Sequence, residues 1–157
     1  MRVVALVLMV GGLATGCMGT IPADVDDTLE HARGGTLQVG VSEATPWTEV
    51  ADDGTVGGTE AELVERYAAS IDAEIEWVPA PESVLAARLR DGGLDLAVGG
   101  LTEDSPWTSD MALTRPYTTA PGADGRRRGH VITVRPGENA LLVDLELFLA
   151  RDAGELR

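Results

Sequence analysis

Aromatic side chains occur beside carboxylates in two short stretches of the chain. The segment EATPWT at residues 43–48 returns in outline as EDSPWT at residues 103–108. Carboxylates next to an indole suit a quaternary or polyamine-like cation, since cation–π attraction contributes about 0.5–2 kcal/mol per ring. The alternative is that each Pro-Trp pair packs its indole against the edge of a sheet.

An apolar run precedes each Pro-Trp segment. Residues 37–41 (LQVGV) and residues 94–98 (LDLAV) have the length and composition of strands. Ligands of open α/β sheets bind outside the carboxyl ends of the strands. Because both indoles follow a predicted strand, we expect Trp47 and Trp107 to face one cleft.

Strands and helices alternate through the first two thirds of the chain, which predicts an α/β fold with a mostly parallel sheet. We expect strands at 36–41, 74–78 and 94–98, a helix from Gly58 or Thr59, and a helix with Pro81 at its first position. Beyond them we expect a short helix that starts at 105–106, a basic loop at 119–129, a strand at 130–134 and a last helix opened by residues 136–139.

The first residues have the pattern of an export signal. Arg2 precedes an apolar stretch at residues 3–13, which is shorter than the roughly 20 residues of a transmembrane helix. Small residues then lead to Cys17, the single cysteine, in a sequence similar to a bacterial lipobox. We expect residues 1–16 to be a signal peptide and Cys17 to be lipidated, on the extracytoplasmic side of the membrane. The alternative is a plain signal peptide with an incidental thiol.

Acidic residues dominate the composition, with 26 Asp and Glu against 12 Lys and Arg and a formal net charge of −14. This charge disfavours nucleic acid and anionic membrane surfaces as partners. The acidic segment within residues 17–35 lacks the Gly and distal Glu of a calcium loop, so we expect a solvated tether. His31, His130 and one cysteine form neither a zinc-site spacing nor a catalytic set, so we expect no metal, no cofactor and no enzyme activity.

Four segments resemble a known family in their order along the chain. They are GTEAELV at 58–64, LRDGGLDLA at 89–97, GGLT at 99–102 and TRPY at 114–117. In this order they resemble the opening of the first helix, the entry to the next strand, the ligand loop and the exit to the second lobe of the family 3 extracellular solute-binding proteins. The resemblance implies a periplasmic-binding-protein-like lobe over residues 36–151, with a tail at 152–157.

One departure from the family concerns the second lobe. Family members close two lobes around the ligand by hinge motion. Here the loop predicted at 119–129 stands where the second lobe would be, and HVITV at 130–134 resembles the return to the first lobe. The resemblance therefore implies a single lobe without hinge closure inside one chain.

A second departure concerns the ligand carboxylate. The family's Thr-x-Thr/Ser-x-x-Arg pattern supplies an Arg that grips the α-carboxylate, a task that suits a guanidinium. Thr102 matches this pattern, Asp104 takes the second hydroxyl position and Trp107 takes the Arg position. An indole cannot pair with a carboxylate, so we do not expect an ordinary α-amino acid as ligand. Arg115 is a candidate substitute.

We therefore predict an exported, lipid-anchored protein that binds a small solute for ABC-type transport or sensing, with a membrane permease or sensor as partner. The alternative is a non-transport interaction module that docks on a membrane partner through the former interlobe face. The residues expected to bind the solute are Glu43, Trp47, Gly100, Thr102, Asp104, Trp107 and Arg115.

Overall fold

The computed structural model describes residues 24–122 and 124–153. Residues 1–23, including the predicted signal peptide and Cys17, lie outside the described part of the chain. No helix among the described residues is long and apolar enough to cross a membrane. The helices are α1 (Thr28–Ala32), α2 (Thr59–Ser70), α3 (Glu82–Arg90) and α4 (Asn139–Asp152). The strands are β1 (Thr36–Val41), β2 (Glu49–Val50), β3 (Val56–Gly57), β4 (Glu74–Pro79), β5 (Leu96–Val98), β6 (Ala112–Leu113), β7 (Thr118–Pro121), β8 (Arg127–His130) and β9 (Thr133–Val134).

A five-stranded sheet in the order β4-β1-β5-β9-β6 forms the centre of the fold. β1 pairs in parallel with β4 and with β5, and only β9 runs against its neighbours. The predicted α/β fold with a mostly parallel sheet is confirmed. As a result, the carboxyl ends of β1 and β5 lie side by side, with Val41 opposite Val98.

Apolar side chains cover both faces of this sheet, as expected for buried parallel strands. Leu37, Val39 and Val41 of β1 join a large cluster with α1, α2 and α4. A smaller cluster under α3 contacts the opposite face. A Cβ at Gly40 would come within 3 Å of Leu85 and Leu94 there. The glycine therefore lets α3 approach the sheet.

Of two helix starts predicted from the sequence, one is confirmed and one differs slightly. α2 begins at Thr59, as predicted, and buries Ala61, Val64, Tyr67 and Ala68 at helical spacing. Pro81 precedes α3 as its N-cap in an extended conformation, rather than occupying the first helical position. The proline ring fixes φ near −65°, which suits either place, so the extended ψ of 149° at Pro81 sets the boundary.

Three predictions between residues 105 and 134 are wrong. Residues 106–110 form turns instead of a short helix. The segment 119–129, predicted as a loop, contains most of a β7–β8 hairpin in which Thr118 pairs with His130. The strand predicted at 130–134 is divided, because His130 pairs with β7 whereas Thr133 pairs with β5 and β6.

Residues 24–33 belong to the segment predicted as a solvated tether, and several of them are buried. The Asp24 carboxylate accepts hydrogen bonds from the backbone N–H groups of Leu29 in α1 and of Ala140 and Leu141 in α4. Leu29 and Ala32 pack in the large cluster. This part of the segment is therefore docked on the sheet.

Candidate functional site

Two loops meet at the carboxyl ends of β1 and β5. The Ser42 N–H donates to Val98 O, which holds the start of the first loop on β5. Gly100 has φ of 65°, and a Cβ at this position would lie 2.8 Å from Cδ1 of Trp47 and 3.2 Å from Cβ of Ala44. Gly100 is required here for both its backbone conformation and the close approach of the indole.

Glu60, in the first turn of α2, joins these loops from beneath. Its side chain is fully buried, and its Oε2 accepts the N–H groups of Gly99 at 2.9 Å and Gly100 at 2.8 Å. Its Oε1 accepts the hydroxyl of Tyr117 at 2.6 Å, and its own N–H donates to Trp47 O at 2.9 Å. Amides that could have received an anion from solvent are thus used by the chain's own carboxyl group. Burial, reinforced by Glu60, raises the pKa of Tyr117.

The indole of Trp47 stacks on the imidazole of His130, with ring centroids 3.9 Å apart and an interplanar angle of 28°. His130 is buried, and its Nδ1 has no hydrogen-bond partner within the described residues. Burial lowers the pKa of His130. A neutral imidazole therefore lies under the indole at neutral pH.

A polar network lies beside this stack, where Thr102 forms a bridge with His130. The Thr102 hydroxyl donates to Asp104 Oδ1 at 2.5 Å, and Arg128 Nε donates to Asp104 Oδ2 at 2.9 Å. Arg128 also pairs with both oxygens of Asp124 at 2.9 Å. The Thr102 hydrogen bond, followed by Arg128, holds the pKa of Asp104 below its ordinary value. These groups form an acidic, solvent-accessible site that suits a cation.

The two indoles occupy different surroundings. Trp107 packs against the cluster under α3, with Leu85, Leu101 and Met111 among its members, whereas Trp47 lies on His130. Among the described residues, the aromatic ring contacts are Trp47–His130 and Tyr67–Phe148, so the two indoles do not stack on each other. The surroundings of Trp107 therefore agree with the alternative given for the Pro-Trp pairs, in which the indole packs against the core.

The remaining predicted site residues differ in their surroundings. Glu43 is exposed and precedes Ala44, which lies near Gly100. Arg115 pairs with Glu146 of α4, which also accepts its backbone N–H at 2.7 Å. Its guanidinium is therefore engaged on the α4 side rather than with Thr102 or Asp104.

Three residues at the centre of this site were missed from the sequence. Glu60 and Tyr117 lie in the segments GTEAELV and TRPY, which carried the family resemblance but were assigned no contact. His130 was placed in a predicted strand and rejected as a zinc ligand or catalytic residue, with no contact to Trp47 predicted. A carboxylate in the first turn of a predicted helix is a signal for contacts with backbone N–H groups. The partners of Glu60 could not be derived, because Gly99 and Gly100 lie 39 and 40 residues further along the chain.

Trp47 also lines a cavity of about 300 Å³. Its walls also include Leu63 and Arg66 of α2, Leu149 of α4, and Tyr117.

Comparisons with known proteins agree on one family. The sequence pattern of the bacterial extracellular solute-binding proteins, family 3, matches residues 37–151. No curated protein matches the chain at a significant level. A point mutant of the arginine-bound form of domain 1 from TmArgBP has a TM-score of 0.69 at 25% identity, covering 82% of this chain and 99% of that chain.

Two more distant structures share the fold. The ancestral amino acid-binding protein AncCDT-1, a precursor of cyclohexadienyl dehydratase, has a TM-score of 0.70 at 16% identity, covering 82% of this chain and 94% of that chain. The L-cystine solute receptor of Neisseria gonorrhoeae has a TM-score of 0.67 at 12% identity, with 81% and 91% covered. With the sequence pattern matched over most of its length, the chain belongs to the bacterial extracellular solute-binding proteins, family 3.

Proposed function

We propose that this protein is a single-lobe receptor for a small cationic solute, recognised by its positive charge rather than by an α-carboxylate. The observation that carries the proposal is the environment of Trp107. An indole packed against the α3 cluster stands where the family resemblance expects a carboxylate-binding Arg. The neighbouring polar groups, Thr102 and Asp104, offer oxygens that accept hydrogen bonds from a cation.

The local charge supports the same proposal. Asp104 and the exposed Glu43 lie on the two loops that meet at the carboxyl ends of β1 and β5, and the Trp47 indole in the first loop is stacked on His130. A cation near the two carboxylates gains from charge pairing, the modest contribution of an exposed ion pair. The net charge of −14 adds long-range attraction for a cation at low ionic strength.

Binding by one lobe has a precedent among the similar structures. The TmArgBP structure is described as the arginine-bound form of domain 1, a single domain with a cationic ligand. We infer that hinge closure is not a requirement for solute binding by this chain either. The β7–β8 hairpin joins the two segments that would otherwise lead into a second lobe and back.

We further propose that the protein is exported and anchored through a lipid on Cys17, and that it serves a membrane permease or sensor. The docking-module alternative calls for an apolar patch on the former interlobe face. Large exposed hydrophobic side chains within the described residues are Val25, Val84, Val143 and Leu147, and none of them belongs to the loops that follow β1 and β5. This distribution favours solute binding.

A thermal-shift screen of the purified chain against amino acids, polyamines and betaines tests the proposal. A cationic solute should raise the Tm by mass action. Asp104→Asn should reduce that shift, whereas Asp110→Asn, which removes a carboxylate paired with Arg90 in the same segment, should leave it unchanged. If no solute shifts the Tm and a specific membrane protein is recovered by pull-down, the receptor proposal fails.

A further inference from the structure

One buried side chain connects every segment that forms the candidate site. Glu60 contacts Gly99 and Gly100 of the ligand loop and the hydroxyl of Tyr117, which immediately precedes β7. Its backbone N–H binds Trp47 O in the other loop. No second carboxyl group of the described chain has backbone bonds to residues 99–100.

We propose that Glu60 is a positioning residue, which holds the ligand loop in its binding geometry and couples it to the β7–β8 hairpin. Glu60 is fully buried and does not contact solvent, so its effect on a solute is transmitted through the loop and the hairpin. Its importance for solute affinity rests on the proposed function. The coupling itself is a property of the unliganded fold.

The coupling follows from the use of both carboxyl oxygens. Oε2 is shared by the two glycine amides, and Oε1 accepts the tyrosine hydroxyl. Loss of the hydroxyl frees the Glu60 side chain to rotate about the remaining bonds. Gly99 and Gly100 should therefore respond to a change at Tyr117, although the chain separates them by 17 residues or more.

Hydrogen exchange of the Gly99 and Gly100 amides, measured by NMR on the full chain, tests this role. Glu60→Ala leaves buried donors without an acceptor, and we expect roughly tenfold faster exchange or more. Glu60→Gln should stay within about threefold of the wild type, because the amide oxygen can accept both N–H groups while its NH₂ donates to the Tyr117 oxygen.

The Tyr117→Phe variant tests whether a change at Tyr117 reaches the glycine amides through Glu60, because it removes none of the hydrogen bonds that those amides themselves make. It removes one hydroxyl and should accelerate exchange at Gly99 and Gly100 by about three- to tenfold. The matched control is Tyr67→Phe, which removes another tyrosine hydroxyl that donates to a carboxylate, Asp144, and should leave both glycine amides unchanged. If Glu60→Ala does not fold, the Tyr117 and Gln variants still decide the question.

Unchanged exchange in Tyr117→Phe, or equal acceleration in Tyr67→Phe, would overturn the coupling.

Titration with L-arginine and agmatine supplies the second readout. Glu60→Ala should raise the Kd of both probes at least tenfold, whereas Glu60→Gln should have a Kd close to that of the wild type. If the wild type binds neither probe and no cation of the thermal-shift screen raises its Tm, the proposed function fails together with the claim about affinity, while the exchange data still decide the coupling. If both probes bind all variants equally, the positioning role fails and the receptor function stands.

Discussion

Substitution of Gly100 by alanine tests whether the ligand loop is shaped by its contact with Trp47. At φ of 65° an alanine pays about 1–2 kcal/mol for left-handed backbone. Its Cβ would also lie 2.8 Å from Trp47 Cδ1, and overpacking of this kind costs about 1–3 kcal/mol more. The expected total loss in the free energy of unfolding is about 2–5 kcal/mol.

Gly34 provides a matched control, since its φ is 66° and a Cβ there meets no atom within 4 Å. Gly34→Ala should therefore lose only the backbone part, about 1–2 kcal/mol. Urea unfolding of both variants measures the difference. We also expect Gly100→Ala, and not Gly34→Ala, to weaken the binding of a cationic solute, because the indole must move. Equal destabilisation by the two substitutions would refute the packing argument.

Three further predictions concern charges. The pKa of Asp104 lies below its ordinary value near 3.8, so solute affinity should persist at pH 5 and fall only as the pH drops through that lowered pKa; a loss between pH 7 and 5 would contradict this. Arg128→Gln should strengthen cation binding a few-fold in calorimetric titrations, because the guanidinium competes for Asp104; weaker binding would place Arg128 among the solute's own contacts. Asp24→Ala should lower the free energy of unfolding by about 1–2 kcal/mol, since the carboxylate caps two helix starts, whereas exposed Asp52→Ala should change it little in urea unfolding.

Much of the fold could be predicted because its signals are local. Apolar runs gave β1 and β5, and helical spacing gave α2 and α4. The hairpin at Thr118–Pro121 and Arg127–His130 was missed because its strands are short and partly exposed, and three consecutive arginines resemble a solvated loop. Asp24 was missed because an acidic segment gives no sign of the helix ends that it will cap.

The site was predicted less completely than the fold. The sequence pointed to Thr102, Asp104 and Trp47 in the loops at the strand ends, and the structure brings the first two into direct contact. Partnership between distant residues could not be derived, because the Trp47–His130 stack and the Glu60–Tyr117 bond depend on tertiary packing. The repeated Pro-Trp pattern suggested two equivalent indoles, but Trp107 faces a different apolar cluster.

Calorimetric titration of the wild-type chain with L-arginine, agmatine and L-citrulline tests the central claim most directly. Agmatine lacks the carboxylate of arginine, and citrulline lacks its positive charge. We predict that arginine and agmatine bind within about threefold of each other and that citrulline binds at least tenfold more weakly, a difference of about 1.4 kcal/mol. Binding of arginine and citrulline with equal affinity, and no binding of agmatine, would contradict recognition of the solute by its positive charge.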